Sequence, residues 1–141
     1  MRWRIRKFFR SLFRTIAYLP IVWGNEEWDW AYLFELMEFK LRRMQKAHEN
    51  DKWHTNAHVY ARQLLVCAEL LKRIREDNYT TGMYEGFFEK YGSPLDPSRK
   101  ELTPEGVKEF RRLTAYETSM KQQDIMLFCK LFSKYYAHWW I

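Results

Sequence analysis

The residues best suited to chemistry are the arginines at the start of the chain, which recur at every fourth position as Arg2, Arg6, Arg10 and Arg14. That spacing places their side chains on one face of a helix. A guanidinium group binds phosphate oxygens bidentately, and aromatic rings stack on nucleotide bases. The tryptophan-rich stretches WGNEEWDW and AHWWI could supply such rings. The predicted ligand-binding residues are therefore Arg2, Arg6, Arg10, Arg14, Trp28, Trp30, Trp139 and Trp140.

The basic character of the chain is confined to this opening segment. Positions 1–14 carry six cations, and no acidic residue precedes Glu26, whereas positions 15–141 carry eighteen charges of each sign. The net charge of +6 therefore belongs to the first segment, and so does any affinity for a polyanion.

Two simpler interpretations of the same residues stay open. The aromatic clusters are also typical of core or bundle-end packing, because aromatic side chains dominate protein interiors. The arginine row could be the solvated face of a helix that packs on the bundle through four apolar residues of its other face. Those four residues are Phe8, Phe9, Leu12 and Ile16.

Other chemistry finds little support in the sequence. His54 and His58 have the i,i+4 spacing of a helical metal site, with His48 upstream, but no carboxylate or cysteine completes a ligand set. There is no paired-carboxylate pattern, no serine nucleophile elbow and no glycine-rich phosphate loop. We therefore expect neither a metal site, nor a cofactor, nor an enzymatic activity.

Three further residues carry specific expectations. Cys67 and Cys129 lie far apart in apolar helical patterns, which favours two buried thiols in a reducing compartment. Asp124 falls between Met120 and Leu127 on an apolar seam, where an unpaired carboxylate would be costly. We expect an arginine or a tryptophan N–H to pair with it.

The elements that must position these residues are helices. Glycine and proline are scarce and clustered, and 141 residues suffice for one domain with its own core. The sequence predicts a single all-α domain over 1–141, a bundle of four to five helices with a long C-terminal helix. Its first helix, basic and amphipathic, spans 1–19 and ends before Pro20.

The later helices have recognisable ends. Asn25 or Asp29 can cap a second helix that runs to about His48, and Glu38 and Arg42 are spaced for an i,i+4 ion pair. A third helix is expected from a cap at 55–56 to about position 77, a short helix over 83–91, and a connecting loop over 92–102.

The last helix begins with a cap at Thr103 and Pro104 in the first turn. Its apolar seam continues almost to the C-terminus. We expect a helix of more than thirty residues, with a possible kink near 114–119, that could project as an oligomer contact.

No apolar run approaches the roughly 18 residues of a membrane span. The short apolar stretch IAYLPIVW is broken by Pro20 and lacks a cleavage site, so it does not resemble a signal peptide. The sequence predicts a cytoplasmic protein without integral membrane insertion.

Three stretches of the chain resemble a group of small all-helical proteins encoded by bacteriophages. They are WGNEEWDWAYLFELMEFKLRRM, LLKRIREDNY and KQQDIMLFCKLFSKYYAHWWI. The matching positions are Trp23, Trp28, Asp29, Tyr32, Leu33, Lys40, Leu41, Met44, Asp77, Tyr79, Asp124, Leu127, Phe128, Trp139 and Trp140. The chain departs from the pattern at Ile141, where an acidic residue is expected after the paired tryptophans.

This resemblance implies a phage accessory protein in the cytoplasm of an infected bacterium, and not a particular activity. By analogy with other small phage proteins, it implies a non-catalytic homo-oligomer that sequesters a cyclic nucleotide immune signal, an anti-defence sponge. The alternatives are binding to a host protein and attachment to a membrane surface through the basic first helix. Nucleic-acid binding is not favoured, because one short basic stripe would neutralise few phosphates.

Overall fold

The computed structural model describes residues 2–24, 30–51, 53–93 and 102–139, without the side chains of Arg2 and Arg4. This part of the chain holds five α-helices and one short 3-10 helix, and no strand. The helices are α1 (Arg2–Gly24), α2 (Trp30–Glu49), α3 (Ala57–Glu76), α4 (Thr81–Tyr91) and α5 (Pro104–Tyr135), and the 3-10 helix is Tyr136–His138. The predicted all-α bundle with a long C-terminal helix is confirmed.

The core is built around α3. Its apolar residues at three- and four-residue spacing lie on one face, and Leu64, Cys67 and Leu71 on that face are fully buried. Leu41 of α2 and Phe128 of α5 belong to the same buried cluster. Full burial of a large apolar side chain contributes about 1.5–3 kcal/mol, so this cluster holds α2, α3 and α5 together.

Ion pairs fix the register of α2 against α3. Glu38 is almost fully buried, and its two carboxylate oxygens lie 2.8 Å from Arg42 Nε and 3.2 Å from Arg75 Nη2. Arg42 also reaches Glu69, at 3.0 Å between Nη2 and Oε1. The predicted pair of Glu38 and Arg42 is confirmed, and its contacts with α3 show that the two helices are antiparallel.

The long helix α5 starts as predicted. The backbone N–H of Gly106 donates to Thr103 Oγ1 at 3.2 Å, and Pro104 occupies the first turn. The helix is unbroken through 114–119, where the sequence left a kink open. At α3, Asn56 holds the N-cap position without a side-chain capping bond, and Asp77 ends the helix in the left-handed conformation.

The prediction that the first helix ends before Pro20 is wrong, because α1 continues to Gly24. Proline lacks the N–H that bonds to the preceding turn and commonly costs about 3 kcal/mol inside a helix. Pro20 itself is exposed, but the next residue, Ile21, is buried and offsets part of that cost. Two other predictions, the caps Asn25 and Asp29 and most of the 92–102 loop, lie outside the described residues.

The expectation of two buried thiols is half wrong, because Cys67 is buried and Cys129 is exposed. Cys129 follows the buried Phe128, and one residue is about 100° of rotation around a helix, which turns its thiol away from the core. Burial raises the pKa of the Cys67 thiol to about 11.

We therefore expect one fast-reacting thiol in the native protein. At pH 8, Ellman's reagent should modify Cys129 at least about a hundredfold faster than Cys67, because the thiolate is the reactive form and Cys67 is both buried and protonated. In the Cys129→Ser variant the fast phase of the reaction should vanish. In the wild-type protein unfolded in urea, both thiols should react at similar rates. Equal rates for the two thiols in the native protein would contradict the assignment.

Candidate functional site

One side of α1 packs on α2. Ile21 is buried, and the ring of Tyr18 meets Phe39 edge-on, with centroids 4.8 Å apart. The guanidinium of Arg43 lies 5.7 Å from the Tyr18 ring centroid. These contacts attach the C-terminal half of α1 to α2, and the N-terminal half extends beyond them with every described side chain exposed.

The opposite side of α1 carries its large apolar residues, and they face outward. Their exposed fractions range from 41% for Leu12 to 87% for Trp23. The members of this outward apolar face are Ile5, Phe8, Phe9, Leu12, Phe13, Ile16, Leu19, Val22 and Trp23. The alternative interpretation, in which this helix packs on the bundle through Phe8, Phe9, Leu12 and Ile16, is therefore wrong.

The helical period explains this orientation. Positions 17, 18 and 21 are the least exposed in α1, and position 21 lies about half a turn around the helix from position 12. Because Tyr18 and Ile21 occupy the contact with α2, the stripe through Leu12 and Ile16 points to solvent.

The predicted basic row is exposed. Arg6, Arg10 and Arg14 lie on the side of α1 opposite the outward apolar face, because Arg10 and Arg14 are each two residues, about 200° of rotation, from Leu12. Lys7 sits 5.2 Å from the ring centroid of Trp3. Arg2 lies in the helix, but its side chain is outside the described part. The first helix thus presents an apolar strip on one face and guanidinium groups on the other.

Of the four predicted tryptophans, the two in the described ranges, Trp30 and Trp139, do not join this row. Trp30 is half exposed at the start of α2, 4.8 Å from Lys121 Nζ, and lies thirteen positions before Arg43. At 1.5 Å per residue, thirteen positions are about 20 Å along α2. Because Arg43 and Arg14 line the same cavity, Trp30 lies about that far from Arg14 as well. Trp139 is only 2% exposed, so its ring offers no free face to a ligand. Trp28 and Trp140 lie outside the described residues.

Trp139 has a structural role. Its indole N–H donates to Gln63 Oε1 at 3.0 Å, and its ring packs edge-on against Phe132. Its carbonyl oxygen lies 3.0 Å from His48 Nε2. Trp139 is thereby fastened to α2 and α3, as the core-packing interpretation predicted for this residue.

Asp124 is buried and paired, as expected. Its Oδ2 lies 3.0 Å from Arg73 Nη2 and accepts a hydrogen bond from the Tyr79 hydroxyl at 2.8 Å. Burial raises the pKa of Tyr79 well above its ordinary value, and the neighbouring carboxylate raises it further. The predicted arginine partnership is confirmed.

Three of the four histidines, His48, His54 and His58, line a cavity of about 420 Å³ near the end of α2. His48 is buried, whereas His54 and His58 are exposed, and His54 contacts Asp51. Across the described ranges, no three histidine, cysteine or acidic side chains are grouped so that they could hold a metal ion.

A cationic cavity lies between α1 and α2. It measures about 290 Å³, and Arg14, Lys40 and Arg43 line it together with the Tyr18 ring. Sequence reasoning missed Lys40 and Arg43 as site residues. The available signal was Lys40, a lysine at an apolar position of the α2 period, between Met37 and Leu41.

Comparison of the chain with protein-family models, with curated proteins and with solved structures finds no match. Among the helices that the structure describes, none is long and apolar enough to cross a membrane.

Proposed function

We propose that this protein attaches to the surface of an anionic membrane through α1, with the bundle of α2 to α5 held in the aqueous phase. The observation that carries the proposal is the orientation of α1, whose apolar face points away from the bundle while arginines lie on its opposite, polar side. A helix with an apolar face, aromatic residues and a basic polar face is typical of interfacial helices.

The energetics support a lipid partner. Each large apolar side chain that leaves water contributes about 1.5–3 kcal/mol, and the outward apolar face includes Phe8, Phe9 and Phe13. Each cation near an anionic bilayer adds about 1 kcal/mol. Both contributions act at once when the helix lies in the headgroup region, so α1 combines the two signals that stable attachment requires.

Charge also distinguishes a lipid from a second copy of the chain. Pairing two copies through their outward apolar faces would place two helices side by side that each carry six cations and no anion in positions 1–14. Like charges in proximity oppose such an interface. Phosphatidylserine headgroups supply the opposite charge, and for this reason we assign the face to lipid.

The test is sedimentation with vesicles of phosphatidylcholine containing about one third phosphatidylserine. We expect the wild-type protein to bind them, to bind pure phosphatidylcholine more weakly, and to dissociate as salt is added. Phe9→Ser with Leu12→Ser should weaken binding about a hundredfold, because two inserted side chains are lost. Arg6→Gln with Arg10→Gln should weaken it about tenfold to thirtyfold.

Matched controls come from α5. Met126→Ser with Leu127→Ser removes two exposed apolar residues, and Arg111→Gln removes an exposed arginine, without touching α1. These variants should bind as the wild type does. Binding that is insensitive to Phe9 and Leu12, or a lipid-free dimer that those two substitutions dissociate, would contradict attachment through the outward apolar face.

Sequestration of a cyclic nucleotide, expected from the sequence, stays a prediction, as do the phage origin, the host-protein alternative and the absence of catalysis. The arginine row remains compatible with an anionic ligand. However, Trp30 lies far from Arg14 along α2, and Trp139 is buried. A nucleotide site built from the arginines together with these tryptophans therefore has less support than membrane attachment.

A further inference from the structure

We propose that a groove across α2 binds a single-chain amphiphile with an anionic headgroup, such as an alkyl phosphate or a long-chain carboxylate. The groove has a cationic half between α1 and α2 and an apolar half beside the C-terminal end of α5. This site is distinct from the outward apolar face of α1 and does not require a membrane.

The cationic half suits an anion because no acidic residue of the described ranges neutralises its charges. Arg14, Lys40 and Arg43 line it, and none of the three forms an ion pair with an acidic residue of the described ranges. Arg43 is held in place by the rings of Tyr18 and Phe39, at 5.7 and 5.6 Å from its guanidinium carbon. A stacked guanidinium keeps its N–H edge free for a phosphate or carboxylate.

The apolar half suits an alkyl chain. This cavity of about 250 Å³ is lined by aliphatic and aromatic side chains of α2, of α5 and of the segment 136–139 that follows it, together with Lys40. The residues that line it are Leu36, Met37, Lys40, Leu41, Met44, Phe132, Tyr136 and Trp139. The Trp139 N–H is already bonded to Gln63.

The two halves of the groove share two lining residues of α2. Lys40 and Met44, one helical turn apart, line both cavities. The volume of each cavity alone is slightly below about 300 Å³, the lower end of the range for small-molecule sites. The two volumes together fall within that range. A ligand that uses both needs a charged end and an apolar end in line.

A nucleotide fits this arrangement less well. A base edge placed in the apolar half would give up hydrogen bonds to water, and the side chains that line it offer only the Tyr136 hydroxyl and the Lys40 ammonium in return. Unpaired buried polar groups are costly. An alkyl chain loses nothing on entering the same space, so we assign the groove to an amphiphile.

The test is calorimetric titration of the full chain with dodecyl phosphate below its micelle concentration. We expect one ligand per chain, and binding at least about tenfold weaker for ethyl phosphate, which lacks the chain, and for dodecyl maltoside, which lacks the charge. Lys40→Gln with Arg43→Gln should weaken the binding of dodecyl phosphate at least about tenfold. Tyr136→Glu should also weaken it, by placing a carboxylate at the apolar half.

The matched control is Lys46→Gln with Lys130→Gln, which removes the same charge from exposed lysines outside both cavities. It should bind as the wild type does. No binding of dodecyl phosphate, equal binding of ethyl phosphate, equal losses in both double variants, or tighter binding of cyclic diguanylate would overturn the assignment.

The two proposals fail separately. Phe9→Ser with Leu12→Ser changes neither cavity, so dodecyl phosphate should bind this variant with unchanged affinity even where vesicle binding is lost. Loss of groove binding in that variant would mean that the ligand is held by the outward apolar face, and would overturn the groove.

Discussion

Replacing Leu64 with alanine is expected to lower the free energy of unfolding by about 2–5 kcal/mol. Leu64 is fully buried at the centre of α3, in the cluster that joins α2, α3 and α5. The truncation removes buried methyl groups and leaves a cavity that neighbouring helices fill only partly. Urea unfolding followed by circular dichroism measures the change.

The next residue provides the control. Leu65 is the same residue type in the same helix, but its exposed fraction is 37%. Leu65→Ala should cost less than about 1 kcal/mol, because an exposed leucine has less transfer free energy to lose and leaves no enclosed cavity. Similar losses for the two variants would mean that α3 does not face the core as described.

The second large effect is expected at Asp124. Asp124→Ala should lower the free energy of unfolding by about 1–3 kcal/mol, since it removes a buried carboxylate that pairs with Arg73 and accepts from Tyr79. The upper figures for broken buried ion pairs do not apply, because the Arg73 side chain is half exposed and can be rehydrated. Glu76→Gln, at an exposed position of α3, should change stability by less than about 0.5 kcal/mol.

The pH dependence gives this interaction a second measurement. The pKa of Tyr79 is raised in the folded protein, by burial first and by Asp124 next. A group with a raised pKa contributes stability that is complete below its ordinary pKa, about 10 for tyrosine, and is lost as pH rises above it. The stability difference between the wild type and Asp124→Asn should therefore narrow above about pH 10. A difference that stays constant to pH 11 would count against the hydrogen bond from Tyr79.

The features that the sequence predicted well are local ones. Thr103 and Pro104 start α5 because a cap and a first-turn proline act within one turn of helix. The pair of Glu38 and Arg42 forms because residues four apart share a helix face. Asp124 was identified as paired because an unpaired carboxylate on an apolar seam is costly, whatever its partner.

The failures concern choices between distant surfaces. The period of α1 shows that its Phe9 side is apolar, but not whether that side faces the bundle or the surroundings. The local rules for proline predicted a helix end at Pro20, but the helix continues to Gly24. The burial of Ile21, which favours this continuation, depends on contacts with another helix and not on the neighbouring sequence. Residue type alone could not show that Trp139 is buried and Cys129 is exposed, because both types occur in protein cores and on surfaces.

By itself, the sequence determined that this protein is helical, where its later helices begin and end, and that its excess positive charge lies in the first fourteen residues. These follow from hydrogen bonding and charge within a few residues of chain. Only the tertiary structure decided that α1 turns its apolar face outward, and that Arg14, Lys40 and Arg43 line one cavity. The reason is physical: an amphipathic pattern fixes which residues share a face, whereas the packing of other helices decides what that face meets.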